Sequence, residues 1–148
     1  MSFLGRRIMD LLEEPAVTGS RLDRLLSASV KSRLHLALVL VGKLKVDPQV
    51  VLNLRWAQVD LDSRLLDVPG GPVGLPPTVA VLFGWHAAQQ RLDARRTPRW
   101  PATGRVFVNA CGAPISAEQA DAVLARYCRR QGLPVVPLAG LRHPVWAG

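Results

Sequence analysis

The spacing of apolar positions makes most of this chain helical. Over residues 2–14, SFLGRRIMDLLEE, the side chains Phe3, Leu4, Ile8, Leu11 and Leu12 share one stripe that ends before Pro15. That stripe predicts an amphipathic helix, packed on the domain behind it or presented to a partner. A second helix begins at Ser20, whose hydroxyl suits an N-cap, and turns Leu22, Leu25 and Leu26 inward. Residues 30–43 are apolar nearly all round, the pattern of a central helix. Asp47 and Pro48 cap and open a short helix after it. A longer one runs from Thr78 to about residue 94 and carries Val81, Leu82, Trp85 and Leu92. Ser116 and Gln119 form a capping box for a last helix to about residue 131, stopped by Gly132.

Short extended runs interrupt these helices. Residues 65–68 read as a strand, Gly70 and Gly71 as a turn and residues 73–75 as the return strand. Pro69, Pro72, Pro76 and Pro77 keep that ribbon short and at an edge. RVFVN, residues 105–109, reads as a further strand after a loop rich in Arg and Pro. The fold class expected is therefore mixed, mainly α with a small antiparallel β-ribbon. No repeat, low-complexity tract or interdomain linker divides the chain. Residues 1–15 read as the N-terminal helix and 16–148 as one domain, a length that suffices for a single core.

Charge points to a partner. The formal net charge is +8, with sixteen arginines to three lysines. Guanidinium groups bind phosphate oxygens in a bidentate fashion, so this balance suits a polyanion. The densest basic run is Arg91, Arg95, Arg96, Arg99 and Arg105, a helix end with its loop. It reads as a track for a DNA backbone or as a solvated helix end complementing the macrodipole. Arg126, Arg129 and Arg130 crowd another helix, and Lys43 and Lys45 end the central one.

Other chemistry is thin. Cys111 and Cys128 have no CxxC spacing and no signal peptide precedes them, which predicts reduced thiols and a cytoplasmic, or nucleoid-associated, protein. LHLALVLVG, the longest apolar run, is too short to span a bilayer, so no membrane partner is expected. His35 and His86 have no ligand-spaced carboxylate or cysteine, and Asp60 and Asp62 read as turn-forming acids. No metal and no cofactor are expected.

Three stretches carry a resemblance. PQVVLNLRWAQVDLD, then RVFVNACGAPISAEQADAVLARYCRRQGLP, then LAGLRHPVWAG resemble the catalytic domain of tyrosine recombinases, the phage integrases. The first is similar to the segment joining the helix of the family's first arginine to its β-ribbon. The second is similar to its strand, turn and long helix, and the third to its His-x-x-Arg-His box. The likeness covers roughly residues 20–148 and implies an integrase-like DNA breaking-rejoining catalytic-core fold.

The family's chemistry uses two arginines with supporting His and Lys around a phosphate, and a tyrosine that attacks it. By resemblance the second arginine is Arg142 and the histidine after it His143. Ala139 stands where the box histidine belongs. The family's Gly-x-Arg-Pro-x-Glu-like segment, aligned on Pro48, places Asp47 at the first arginine and Val50 at the glutamate. A shift of two residues would place Lys45 there instead. No lysine follows Lys45, and the one tyrosine, Tyr127, falls within the 116–131 helix, far from the expected nucleophile position.

The resemblance thus implies a degenerate, truncated member without catalytic residues, in which Arg142 and His143 are vestigial. The function expected is an inactive, DNA-binding regulator or architectural factor for double-stranded DNA. Its contacts would come from Lys43, Lys45, Arg91, Arg95, Arg96, Arg99, Arg105, Arg126, Arg129, Arg130 and Arg142. The alternative is a protein-interaction module that keeps the fold and docks a copy of itself or an integrase-like partner through residues 2–14 or its C-terminus. A recombinase subunit completed by a tyrosine supplied in trans is the remaining reading.

Overall fold

In the computed structural model, which describes residues 20–143 and Trp146, Ser20 starts the first helix by accepting a 3.2 Å hydrogen bond from the Asp23 amide. The helix expected over residues 2–14 lies outside the described residues. Helix α1 (Arg21–Ala28) buries Leu22, Leu25 and Leu26, the stripe its sequence predicts. Turns at residues 29–34 follow, so the central helix α2 (His35–Gly42) starts five residues later than its apolar pattern suggests. Val30 is left 59% exposed by that delay. Every residue of α2 from Leu36 to Gly42 is buried. A Cβ on Gly42 would lie 2.6 Å from Leu22, so the glycine permits the close crossing of α1 and α2.

Asp47 caps α3 (Pro48–Leu52) as expected, its Oδ1 accepting from the Gln49 amide at 2.8 Å. A 3₁₀ turn (Trp56–Gln58) leads into a three-stranded antiparallel sheet of β1 (Val59–Asp60), β2 (Leu65–Leu66) and β3 (Val73–Gly74), ordered β1-β2-β3. Val59 pairs with Leu66 and Leu65 with Gly74. The ribbon therefore has one strand more than its β2–β3 hairpin, taken from the VDLD stretch. Gly70 and Gly71 make the turn at φ 96° and 122°, a region that favours glycine.

Helix α4 (Pro77–Arg96) spans the helix expected from residue 78 to about 94, and Leu82 packs on the core. Its inward stripe is Val79, Phe83, His86, Gln90 and Asp93, while Val81, Trp85 and Leu92 face outward. Both stripes have helical spacing. The polar one lies inward because its polar groups find partners there, as described below. The run 105–109 forms isolated bridges, Arg55 to Arg105 and Val108 to Pro114, and not a regular strand. Helix α5 (Ala117–Arg130) has the expected capping box between Ser116 and Gln119, and Gly132 follows its end at φ 64°. The LRH sequence closes a 3₁₀ helix (Leu138–Arg142) that packs on α2 and α5 through buried Leu138 and Leu141.

Candidate functional site

The chain leaving α2 turns sharply at Lys45, which has φ 59°. That left-handed conformation costs a non-glycine residue about 1–2 kcal/mol. It lies two residues before Asp47, at the start of the segment that leads into α3.

The turn brings three charges to one corner. Arg142 Nη1 lies 3.8 Å from Asp47 Oδ2, and Lys45 Nζ donates to the Leu141 carbonyl at 3.5 Å. Asp47 therefore does two things at once: Oδ1 caps α3 and Oδ2 faces Arg142. Arg142 and Asp47 are both about half exposed, at 45% and 54% of their side chains. Arg142 is thus less shielded than a buried phosphate pocket would make it. Exposed pairs of this length contribute about 0–1 kcal/mol. His143 is exposed one residue beyond Arg142. The three side chains at this corner, Lys45, Asp47 and Arg142, carry a net charge of one positive unit.

A packed layer forms elsewhere, between α4 and residues 105–107. The indole N–H of Trp56 donates to Gln90 Oε1 at 2.8 Å, and Gln90 Nε2 donates to the carbonyls of Arg105 and Val106 at 3.2 and 3.1 Å. His86 Nε2 lies 2.6 Å from the Val106 carbonyl, so that nitrogen carries the proton and donates. Trp56, Phe83, His86 and Phe107 make ring contacts at centroid distances of 5.1–6.3 Å. Burial pushes the His86 imidazole below its ordinary value, with the Val106 hydrogen bond opposing. Burial alone does the same to His35. At the end of α4, Asp93 is buried and takes two 2.9 Å hydrogen bonds from Arg33 and one from Gln89. The Arg33 guanidinium holds its carboxyl below the usual carboxylate range.

The remaining basic residues are dispersed. Arg91, Arg95 and Arg96 are exposed on the last turns of α4, and Arg99 is exposed in the next loop at φ 57°. Arg105 is turned onto Asn53 Oδ1 at 2.8 Å, and Lys43 onto Asp23 Oδ1 at 2.6 Å. Arg126, Arg129 and Arg130 are exposed on α5, with Arg130 5.6 Å above the ring of half-buried Tyr127. Lys45, Asp47 and Arg142 are brought together; the α4 and α5 arginines occupy other elements. Sequence reasoning missed Arg55, which donates to the Thr103 carbonyl at 3.0 Å, and the Arg33–Asp93 pair. Asp93 left a signal, an acid in a basic run at the helical spacing of Phe83, His86 and Gln90.

Among the described residues no group of three or more His, Cys, Asp or Glu could hold a metal, and no helix is long and apolar enough to cross a membrane. The mainly helical fold with its small antiparallel sheet is recombinase-like. A crystal structure of XerA recombinase is similar to it with a TM-score of 0.68 at 17% sequence identity, over 84% of this chain. This chain spans 46% of that structure's length. No family model matches the chain, and no curated protein matches it either.

Proposed function

We propose that this chain binds duplex DNA through its basic surface and does not cut it. The observation that carries the reading is the Asp47–Arg142 pair. A carboxylate 3.8 Å from the arginine of the LRH sequence would repel a phosphate that this arginine meets, which supports binding without cleavage. Charge stabilisation of that kind, when one preorganised donor is lost, costs roughly 10²–10³ in rate. Ala139 and the lack of any lysine after Lys45 remove further partners. Binding needs less than catalysis. Arg91, Arg95, Arg96 and Arg99 are exposed and Arg142 half exposed, as backbone contacts require, and the XerA likeness of the fold supports a duplex as the polyanion.

A gel shift on random duplex across a salt series tests this. A surface meeting about four to six phosphates gives a log–log slope of about −4 to −5. Neutralising Arg95, Arg96 and Arg99 together should flatten it by about three. Nicked suicide duplexes should yield no denaturation-resistant adduct. An adduct abolished by Tyr127→Phe would overturn the inactive reading, and no shift at low salt would overturn DNA binding.

A second reading, a protein-interaction module on the same fold, is favoured by the outward stripe of α4. Trp85 is 65% exposed, with Val81 and Leu92 on the same face.

A further inference from the structure

A broad groove of about 940 Å³ runs between the turns at residues 29–34 and helix α5, open to solvent along its length. Helix α5 has two working faces. Ala120, Leu124 and Cys128 are buried in the core. Gln119, Ala122, Val123 and Arg126, at i, i+3, i+4 and i+7, line the groove instead. Ile115, Val123 and Tyr127 are half buried and give the groove an apolar floor. Arg130 lies over the outer part of the tyrosine and restricts it.

The rim has one sign. Lys31, Arg126 and Arg129 are exposed there, and none has an ion-pair partner among the described residues. Arg33 also lines the groove but is engaged by Asp93. Among the described residues, no aspartate or glutamate lines the groove.

We propose that this groove docks an acidic amphipathic segment of a partner protein. The segment's apolar side chains would lie on Ile115, Val123 and Tyr127, and its carboxylates on Lys31, Arg126 and Arg129. Three features choose this occupant. A site this open would not enclose a small molecule, which binding pockets bury over most of its surface. The cationic rim without a carboxylate selects an anion and disfavours a second copy of a chain with net charge +8. The apolar floor has no match on a phosphate backbone, but it fits one face of an amphipathic helix.

The probe is a short fluorescein-labelled peptide with leucines at helical spacing and glutamates elsewhere, read by anisotropy against the full chain. Controls are the same composition scrambled, oligoglutamate, and a random duplex. The designed peptide should bind more tightly than the scrambled one, and more weakly as salt rises. Arg126→Glu with Arg129→Glu should lower its affinity by about tenfold or more. Ala122→Asp, at an exposed position lining the groove, should lower it too, with a melting temperature near that of the unaltered chain. Arg95→Glu with Arg96→Glu should leave it unchanged. Equal binding of oligoglutamate or of the scrambled peptide would overturn the proposal, because the floor would then be idle. So would no peptide binding, or groove variants that weaken duplex as much as peptide. Duplex binding lost in the Arg95/Arg96 variant alone concerns the DNA reading and leaves the groove standing.

Discussion

The corner around Arg142 and the layer between α4 and residues 105–107 are built to different tolerances. In the layer, Trp56, His86 and Gln90 make hydrogen bonds of 2.6–3.2 Å, and Phe83 and Phe107 are fully buried. At the corner, the two contacts that define it are 3.8 and 3.5 Å long, the first open to water and the second only partly shielded. A buried polar group that loses its partner costs about 1–3 kcal/mol, whereas an exposed ion pair is worth about 0–1. The charges of the corner can therefore change sign with little consequence for the fold, and the layer cannot change in the same way. A recombinase-like architecture is therefore compatible with different charges at this corner.

The largest effect that would break this contrast concerns Phe107. Phe107→Ala should destabilise the chain by about 3–5 kcal/mol in a denaturant titration, through lost burial and the cavity left beside His86. Arg142→Ala should cost less than about 1 kcal/mol in the same assay. If Arg142→Ala proved as damaging as Phe107→Ala, the corner would be part of the scaffold and the distinction would fail.

Acid probes the layer next. The folded-state values of His86 and His35 are lowered by burial, so the unfolded chain binds protons more readily than the folded one. Their contribution is fully present above the ordinary imidazole value of about 6.5 and is lost as pH falls through that value toward the folded one. Asp93 adds a later loss of the same sign, below about 3.9, as the carboxyl held down by Arg33 takes its proton. Denaturation midpoints measured from pH 8 to 5 should fall in wild type and fall less steeply in His86→Gln. A profile flat down to pH 5 would mean that these imidazoles are not kept neutral by burial.

Much of the fold was legible in the sequence, and the exceptions share a cause. The caps at Ser20, Asp47 and Ser116 formed as read, because capping is decided by a few neighbouring atoms. The inward face of α4 was not legible, because hydropathy ranks Val81, Trp85 and Leu92 above His86, Gln90 and Asp93. Burial of those polar groups depends on carbonyls at residues 105 and 106 and on Arg33, partners distant in sequence that no local pattern reveals. The same holds at the candidate site. The resemblance brought Asp47 and Arg142 to comparable positions, but their direct pairing depends on the turn at Lys45, whose left-handed backbone nothing in its residue type announces.

That turn supplies a prediction of opposite sign. Lys45→Gly should stabilise the chain by about 1 kcal/mol, by relieving the left-handed strain at φ 59°. It also deletes a corner cation, so duplex affinity should fall slightly while the melting temperature rises. Destabilisation by this change would mean that the hydrogen bond from Lys45 Nζ to Leu141 outweighs the strain, and that the corner is tied more firmly than its distances suggest.

The smallest effect on stability is the most informative about function. Asp47→Asn retains an oxygen for the Gln49 amide, so the cap of α3 survives and only the charge facing Arg142 is removed. A double-mutant cycle of Asp47→Asn and Arg142→Ala should give a coupling of about 0.5 kcal/mol or less in stability. In duplex binding the same cycle should read differently. Removing the carboxylate frees Arg142 for phosphate, so Asp47→Asn alone should tighten binding by about threefold to tenfold at low salt. The loss on Arg142→Ala should then be larger in the Asp47→Asn background than in wild type, because only there is the guanidinium unshared. Equal losses in both backgrounds would show that Asp47 does not compete with phosphate for Arg142. The corner would then owe its character to Lys45 and the surrounding arginines alone.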